Sequence, residues 1–224
     1  MSYTSLHTPK EHKRRRAKWL RLIATGTLCA FLWSLLGFQA QCAGIRKQVL
    51  RLHVVANSDS EADQRAKLHV RDKLLEAGAE LFGSAANSAQ AEAEITPHLA
   101  EMEACAREAL RALGLETPVR VTLGEAYFGT RTYAPEGVTL PAGRYRALIV
   151  SLGEAKGQNW WCVMFPPLCL PAARPRGAVS LDVLLTGGQL RVVQSNPRYE
   201  LRFKLVELWE SLLERVNRAK NCEE

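Results

Sequence analysis

The sequence predicts an α/β domain with helices packed on a mixed β-sheet, preceded by an N-terminal signal or anchor helix. Three observations support this prediction. An apolar run follows a basic N-terminus, a β-rich segment leads into an amphipathic helical pattern, and short β-branched or aromatic runs alternate with Gly- and Pro-bearing turns in the middle of the chain. The order of strand, two helices, several strands and a final helix is typical of helices packed against one sheet.

The N-terminus predicts export. Residues 22–38 carry no charge, and seven basic residues precede them: Lys10, Lys13, Arg14, Arg15, Arg16, Lys18 and Arg21. A positive flank stays in the cytoplasm while the apolar run enters the bilayer. An uncharged run of seventeen residues is intermediate in length between the apolar part of a signal sequence and a full span of about 17–25 residues. Cleavage near 40–44 and retention as an anchor therefore both stay open. We expect a basic cytoplasmic region at 1–21, a signal peptide or transmembrane anchor at 22–44, and one extracytoplasmic domain at 45–224.

Most of the excess positive charge belongs to the N-terminal segment. The 224-residue chain has 30 Lys and Arg against 23 Asp and Glu, and residues 1–45 hold seven of the basic residues and one of the acidic ones. The rest of the chain therefore carries 23 basic and 22 acidic side chains. Because a near-neutral domain has no electrostatic attraction for phosphates, we expect no nucleic-acid partner.

The exported domain is predicted to begin with a strand followed by a helix. Residues 49–56 are rich in β-branched side chains, and Ser60 with Asp63 three positions later resembles a capping box. Apolar residues about seven positions apart give the helix an apolar stripe, and Gly83 is predicted to end it.

A second helix and several strands are predicted to follow. The helix begins at Thr96-Pro97, with Thr96 as the cap, and closes at Leu113-Gly114. Three short β-branched or aromatic runs after it are predicted strands, at 119–123, 145–152 and 160–165.

The C-terminal part contains one ambiguous segment and one clear helix. Thr186-Gly187-Gly188-Gln189 separates two apolar runs, either as a hairpin turn or as a helix end followed by a strand. Asn196-Pro197 is predicted to cap a final amphipathic helix. Its predicted apolar face consists of Leu201, Leu205, Leu208, Trp209, Leu212 and Val216.

Polar side chains cluster where the first predicted strand turns into the helix. His53, Asn57, Ser58 and Asp59 lie there, at the kind of sheet edge that often presents functional groups. One interpretation is an exported hydrolase in which His53 is the base, Asp59 orients it, and Ser58 or Cys162 is the nucleophile. The other is an Asx-type turn in which these side chains bond their own backbone. No hydrolase, zinc or phosphate-loop motif is present, so we expect no metal and no cofactor.

The segment 159–169 is unusually aromatic and contains a double proline. Trp160 and Trp161 are adjacent on a predicted strand and should point to opposite faces of the sheet, so one can be core while the other covers a helix or meets a partner. Trp is enriched in binding hot spots, and a rigid Phe165-Pro166-Pro167 corner beside it would preorganise a contact surface. Core packing is the competing interpretation for either ring.

Cys162 and Cys169 are candidates for a disulfide. Six residues separate them, and an exported domain lies in a compartment where disulfides persist. Closing so small a loop contributes about 2–3 kcal/mol on the loop-entropy estimate. Two buried thiols are the alternative interpretation.

Two blocks of the sequence resemble the signature blocks of the stage II sporulation protein R family of endospore-forming bacteria. The first begins at Arg51 and reads Arg-Leu-His-Val-Val-Ala-Asn-Ser-Asp-Ser-x-x-Asp-Gln-x-x-Lys-Leu-x-Val-Arg-Asp, and the second is 159–169. The resemblance extends over residues 46–216. Two long blocks in the right order are far more specific than a single short motif.

The resemblance implies an intercompartmental signalling protein and not an enzyme. Members of the family are made in the forespore, exported into the space between the two septal membranes, and activate a membrane-embedded aspartic protease of the mother cell that processes the pro-form of sigma-E. The expected partner-binding residues are His53, Asn57, Ser58, Asp59, Asp63, Trp160, Trp161, Phe165, Pro166 and Pro167. The corners at 57–63 and 160–167 are expected to lie together and to bind the protease. An exported hydrolase and a septal scaffold are the alternative classes.

Overall fold

The structure is a computed structural model of the chain and describes residues 9–81, 85–133, 137–168, 180–194 and 200–221. By its internal contacts the chain divides into two compact units, Met1–Ala40 and Gln41–Glu224. The first unit consists of most of one long helix, and the second contains the sheet and all other helices.

The N-terminal helix, α1, spans Pro9–Lys47. Its part Arg14–Lys47 is long and apolar enough to cross a membrane, and several of its apolar side chains, such as those of Leu28 and Trp33, are exposed. A signal sequence near an N-terminus has the same properties. The predicted N-terminal helix is therefore present and fits either a signal or an anchor.

The sheet of the second unit has four strands in the order β2-β5-β1-β6. These strands are β1 at Leu50–Val55, β2 at Val119–Phe128, β5 at Gly143–Leu152 and β6 at Asn159–Phe165. Strand β1 is parallel to β5 and antiparallel to β6, while β2 and β5 are antiparallel. The prediction of helices on a mixed sheet is confirmed.

Among its described residues, the second unit also contains a two-stranded hairpin and six further helices. The hairpin pairs β3 at Arg131–Tyr133 with β4 at Val138–Leu140. The helices are α2 at Glu61–Leu81, α3 at Ser88–Ile95, α4 at Leu99–Arg111, α5 at Leu181–Leu184, α6 at Gly187–Val193 and α7 at Glu200–Asn221, with a 3₁₀ turn at Thr96–His98 between α3 and α4.

The main hydrophobic core lies between one face of the sheet and helices α2, α3 and α4. Leu52 and Val54 of β1, Leu148 of β5 and Val70 of α2 are fully buried in it. Side chains alternate along a strand, so the intervening residues of β1 point to the opposite face. That second face carries a polar and aromatic cluster that is described below.

The sequence prediction for the second helix is wrong in detail. Thr96 is not the N-cap of an α-helix: its backbone is helical at φ −55° and ψ −46°, its hydroxyl donates to the Glu92 carbonyl at 2.6 Å at the end of α3, and it begins the 3₁₀ turn that precedes α4 at Leu99. Helix α3 was not predicted; Asn87 caps it, accepting a hydrogen bond from the Gln90 backbone at 2.9 Å. The segment is rich in Ala and Glu on both sides of Thr96, so its composition does not indicate where α3 ends and α4 begins.

The segment around residue 186 is also different from the prediction. Thr186 and Gln189 form a reciprocal capping box that begins α6, so residues 187–193 are helical and form no hairpin or strand. The final predicted helix is present as α7, although its predicted cap at Asn196-Pro197 lies outside the described residues, as does the predicted helix end at Gly83.

Candidate functional site

The Asp63 carboxylate stabilises the turn between β1 and α2, residues 57–63, which we call the Asp63 corner. Its Oδ2 atom accepts hydrogen bonds from Ser58 Oγ at 2.5 Å and Asn57 Nδ2 at 3.0 Å. The Asp63 backbone N–H donates to Ser60 Oγ at 3.1 Å, which is the predicted cap of α2. The hydrogen bond from Ser58, together with those from Asn57 and Ser60, lowers the pKa of Asp63 despite partial burial.

The same corner is fastened to the loop between β5 and β6. Asn57 Oδ1 accepts from the Glu154 backbone at 3.0 Å, and Asp59 Oδ1 accepts from the Gln158 backbone at 2.8 Å. A Cβ atom on Gly157 would lie 2.2 Å from the Ser58 carbonyl oxygen, so only glycine fits there without rearrangement. The structure thus uses Asn57, Ser58, Asp59 and Asp63 to build the corner itself, as the Asx-turn interpretation expects.

Lys67 adds a buried cation under this corner. Its side chain is 4% exposed and donates to Gln64 Oε1 at 2.5 Å and to the Gln158 carbonyl at 3.0 Å. Burial lowers its pKa, and the nearby Asp59 charge opposes that effect. Lys67 therefore connects helix α2 to Gln158, the residue directly before β6.

His53 lies on the second face of the sheet, away from the corner's hydroxyl groups. Its Nε2 atom is 3.0 Å from Asn159 Oδ1, and its ring packs edge-on against Phe128 and Trp161 at centroid distances of 5.8 and 6.4 Å. Its Nδ1 atom is buried with no hydrogen-bond partner among the described residues. Burial lowers the pKa of His53, only partly opposed by the hydrogen bond to Asn159.

Arg51 is the residue of this face that the sequence reasoning did not select. Its side chain is 0% exposed, and its guanidinium carbon lies 4.0 Å from the Phe128 ring centre and 4.9 Å from that of Tyr145. Its Nη2 donates to the Tyr133 hydroxyl at 2.6 Å and its Nε to the Cys162 carbonyl at 3.4 Å. Burial lowers its pKa, and no carboxylate contacts it within the described residues. The sequence signal that could have identified Arg51 is its charge within a strand of mostly apolar residues.

The two tryptophans point to opposite faces of the sheet, as the strand geometry predicts. Arg71 of α2 places its guanidinium carbon 4.5 Å from the Trp160 ring centre, and Trp160 is 36% exposed. Trp161 packs on the other face, with its ring centre 5.7 Å from that of Phe128 and 5.7 Å from the Arg131 guanidinium carbon. Trp160 thus presents a partly exposed aromatic ring. Trp161 belongs, with Arg51, His53 and Phe128, to the cluster on the second face of the sheet.

The two predicted corners, residues 57–63 and 160–167, come together at one end only. Strands β1 and β6 are antiparallel, so Val55 pairs with Asn159 beside the Asp63 corner, whereas Phe165 pairs with Leu50 at the opposite end. Six residues of strand separate the two ends by about 20 Å. Trp160 therefore neighbours the Asp63 corner, but the Phe165-Pro166-Pro167 corner does not.

The Phe165 corner is also less accessible than a contact surface needs. Phe165 is 1% exposed, Pro166 is buried, and the peptide bond between them is cis. Pro167 is half-buried. The rings of Phe165 and Pro166 are therefore buried within the domain.

The hydrolase constellation is not assembled in this structure. Ser58 donates to Asp63, Asp59 accepts from the Gln158 backbone, and neither contacts His53. Cys162 is 1% exposed, packs in the main core and is disulfide-bonded. Cys169 lies outside the described residues, so its pairing with Cys162 stays a prediction. Within the described part of the chain, no three His, Cys, Asp or Glu side chains are grouped so as to hold a metal ion.

Comparison with known proteins gives the family. The family profile described as stage II sporulation protein R (spore_II_R) matches residues 46–174, which is more than half of the chain. Stage II sporulation protein R of Bacillus subtilis (strain 168) is 36% identical over 125 residues, covering 56% of this chain and 55% of that protein. The match thus spans about half the length of the relative, and no solved structure matches the chain. The chain belongs to the stage II sporulation protein R family.

Proposed function

We propose that this protein is an exported signalling ligand of endospore formation. It leaves the forespore, enters the space between the septal membranes and activates the membrane-embedded aspartic protease that processes the pro-form of sigma-E. The observation that carries this proposal is the family match over residues 46–174, which begins directly where a helix able to cross a membrane ends. The basic residues before that helix favour export of the domain on its C-terminal side.

The proposed activity is binding, not catalysis. His53 hydrogen bonds to Asn159 and lies apart from Ser58 and Cys162, the two nucleophiles a hydrolase would need. A ligand activates its receptor when it binds the active state more tightly than the inactive one. A preference of about 1.4 kcal/mol shifts that equilibrium tenfold, which a few contacts supply.

The surface that we propose for the receptor is Trp160 with the adjoining Asp63 corner. Trp160 offers a large, partly exposed ring, and Arg71 stacked on it restricts its orientation before binding. The network that joins Asn57 and Asp59 to the β5–β6 loop holds the exposed backbone beside it in one conformation. A preorganised surface loses less entropy on binding.

The test is processing of pro-sigma-E in cells that express the membrane protease together with this protein. We expect processing with the full chain and none when residues 1–45 are removed, because the truncated protein stays on the wrong side of the membrane. Absence of processing with the full chain folded and exported would overturn the proposal.

Substitutions separate the receptor surface from the other functional classes. We expect Trp160→Ala to abolish processing, while the matched control Leu113→Ala, at an exposed apolar side chain (46%) just after α4, preserves it. Full processing of pro-sigma-E with the Trp160→Ala variant would refute the assignment of this surface to the receptor. Retained processing with the His53→Ala variant, whose altered side chain lies away from this surface, would argue against a hydrolase. Altered septum shape alongside normal sigma-factor processing would indicate a scaffold.

A further inference from the structure

Helix α7 buries Phe203 and Val206 but exposes a second set of apolar side chains. Trp209 and Leu208 are 57% and 59% exposed. The other apolar residues of the same face are also exposed: Leu205 at 37%, Leu212 at 47%, Leu213 at 41% and Val216 at 52%. Together these six residues define the outer face of α7. Apolar side chains at helical spacing normally face a core, so a contiguous exposed set of this size indicates something that binds it.

The opposite side of α7 is acidic and is docked on the domain. Glu210 forms an ion pair with Arg46 at 3.3 Å, and both side chains are mostly buried. Glu214 forms an ion pair with Arg144 at 2.9 Å. Glu207 lies over Gly129, with its Oε1 atom 3.2 Å from the position of a Cβ there. The acidic residues of this helix are therefore directed inward and fix which face is exposed.

One border of the outer face carries positive charge. Lys204 and Arg215 are exposed and lie on the same flank, because eleven residues correspond to about three helical turns. Neither forms an ion pair with a described residue, and no exposed acidic side chain occurs between 202 and 216. The exposed half of the helix is thus apolar and basic.

We propose that the outer face of α7 binds an anionic phospholipid surface. A helix with Leu and Trp on one side and Lys or Arg along its border inserts its apolar side into the headgroup region, where the basic residues meet lipid phosphates. The chain also carries a helix able to cross a membrane, which would hold the domain near such a surface. Helix α7 lies beyond the family match at 46–174, and this inference does not depend on the proposed receptor.

The charges favour a membrane over a second copy of the chain. In a two-fold antiparallel pair, the flank of one helix lies against the same flank of its partner. Lys204 would then face the Arg215 of the second copy at both ends of the contact. Like charges across an interface oppose association, whereas anionic lipid neutralises both residues.

The test is photo-crosslinking of the full chain in proteoliposomes. The photoreactive residue benzoylphenylalanine replaces Leu212 on the outer face or, as the matched control, Val183 on α5, which is apolar and 74% exposed. Vesicles contain phosphatidylcholine alone or with phosphatidylglycerol, and mass spectrometry identifies the adducts. We expect lipid adducts at position 212 in the anionic vesicles, and far fewer at position 183 or in neutral vesicles.

Charge reversal tests the basic border separately from the apolar face. Each basic residue near an anionic surface contributes about fivefold to binding, so K204E/R215E should reduce the adducts at position 212 about tenfold or more. The control R65E/K156E alters two exposed basic residues elsewhere and should leave the lipid adducts at position 212 unchanged. Adducts between two protein chains, no lipid adduct at position 212, or adducts insensitive to both lipid charge and K204E/R215E would overturn the proposal.

Discussion

At the scale of single residues, Asp63 links the family's first signature block to stability. Its carboxylate accepts hydrogen bonds from Ser58 and Asn57, which lower its pKa in the folded protein. A carboxylate with a lowered folded pKa contributes stability above its unfolded value, which is near 3.8, and loses that contribution as the pH falls through the folded value. The corner should therefore weaken in acid.

We predict that Asp63→Ala lowers the free energy of unfolding by about 1–3 kcal/mol at pH 7, because two donors lose a charged acceptor. The difference from the wild type should shrink steadily below pH 3.8. Urea unfolding in mild detergent, followed by tryptophan fluorescence at several pH values, measures both effects. Glu61→Ala, which removes an exposed ion pair with Arg65, is the control and should cost less than about 0.5 kcal/mol. A pH-independent loss for Asp63→Ala would contradict the role of its charge.

Arg51 presents the opposite case, a buried charge whose removal need not harm the fold. It sits among Phe128, Tyr133 and Tyr145, and burial lowers its pKa. Burying a guanidinium without a carboxylate partner is unfavourable, so an apolar side chain of similar length can be as stable.

We predict that Arg51→Met leaves the free energy of unfolding within about 1 kcal/mol of the wild type or raises it. Arg51→Ala should be about 2–4 kcal/mol less stable than Arg51→Met, because it leaves a cavity. Urea unfolding of the three proteins measures this order. Equal, large destabilisation by both substitutions would show that the charge itself holds the cluster together.

At the scale of elements, the contact between the β5–β6 loop and the Asp63 corner depends on one glycine. The Gly157 backbone donates to the Ala56 carbonyl at 2.9 Å, and a Cβ at 157 would lie 2.2 Å from the Ser58 oxygen. We predict that Gly157→Ala lowers the free energy of unfolding by about 1–3 kcal/mol through overpacking. Gly124→Ala is the matched control, since its Cβ would meet Ile149 at an ordinary 3.6 Å. Urea unfolding compares the two; equal effects would mean that the close approach is not limiting.

Several elements could be predicted from local sequence because local chemistry defines them. The strand at 49–56 was found as β1, and the cap of α2 at Ser60 was found because a side chain reaches a backbone three residues away. Thr186 and Gln189 carried the same kind of signal, but two glycines between them favoured a turn. Helix α3 was missed because helical composition continues across its end at Thr96.

Which candidate residues lie together is decided by strand pairing and ion pairs between distant segments, and local sequence patterns carry no information about either. The antiparallel pairing of β1 with β6 puts Trp160 beside the Asp63 corner and Phe165 at the other end. Helical periodicity located the apolar face of α7, but the ion pairs of Glu210 and Glu214 with arginines distant in sequence decide that this face is exposed. Such contacts join segments about 70 or more residues apart and have no signature in either segment alone.

At the scale of the whole molecule, charge is divided between the two ends of α1 in a way that sets orientation. Residues 1–45 hold seven basic residues and one acidic residue, and the remainder is nearly neutral. The orienting bias depends on Lys and Arg near the apolar run: seven precede residue 22, whereas three, Arg46, Lys47 and Arg51, lie within the 20 residues after residue 38, so the N-terminal flank is favoured on the cytoplasmic side. Since α1 is long and apolar enough to cross a membrane, the domain on its C-terminal side should be on the outside whether or not the helix is cleaved.

We predict that alkaline phosphatase fused to the C-terminus is active, because this enzyme folds only outside the cytoplasm, whereas a β-galactosidase fusion at the same point is inactive. Replacing the seven basic residues before residue 22 by Gln should reverse or weaken this pattern several-fold, since the orienting charge is lost. Arg65→Gln with Lys156→Gln, which changes exposed charges in the domain, should leave both reporters as in the wild type. An active β-galactosidase fusion on the unaltered chain would put the domain in the cytoplasm, and a ligand acting between two membranes would then be untenable.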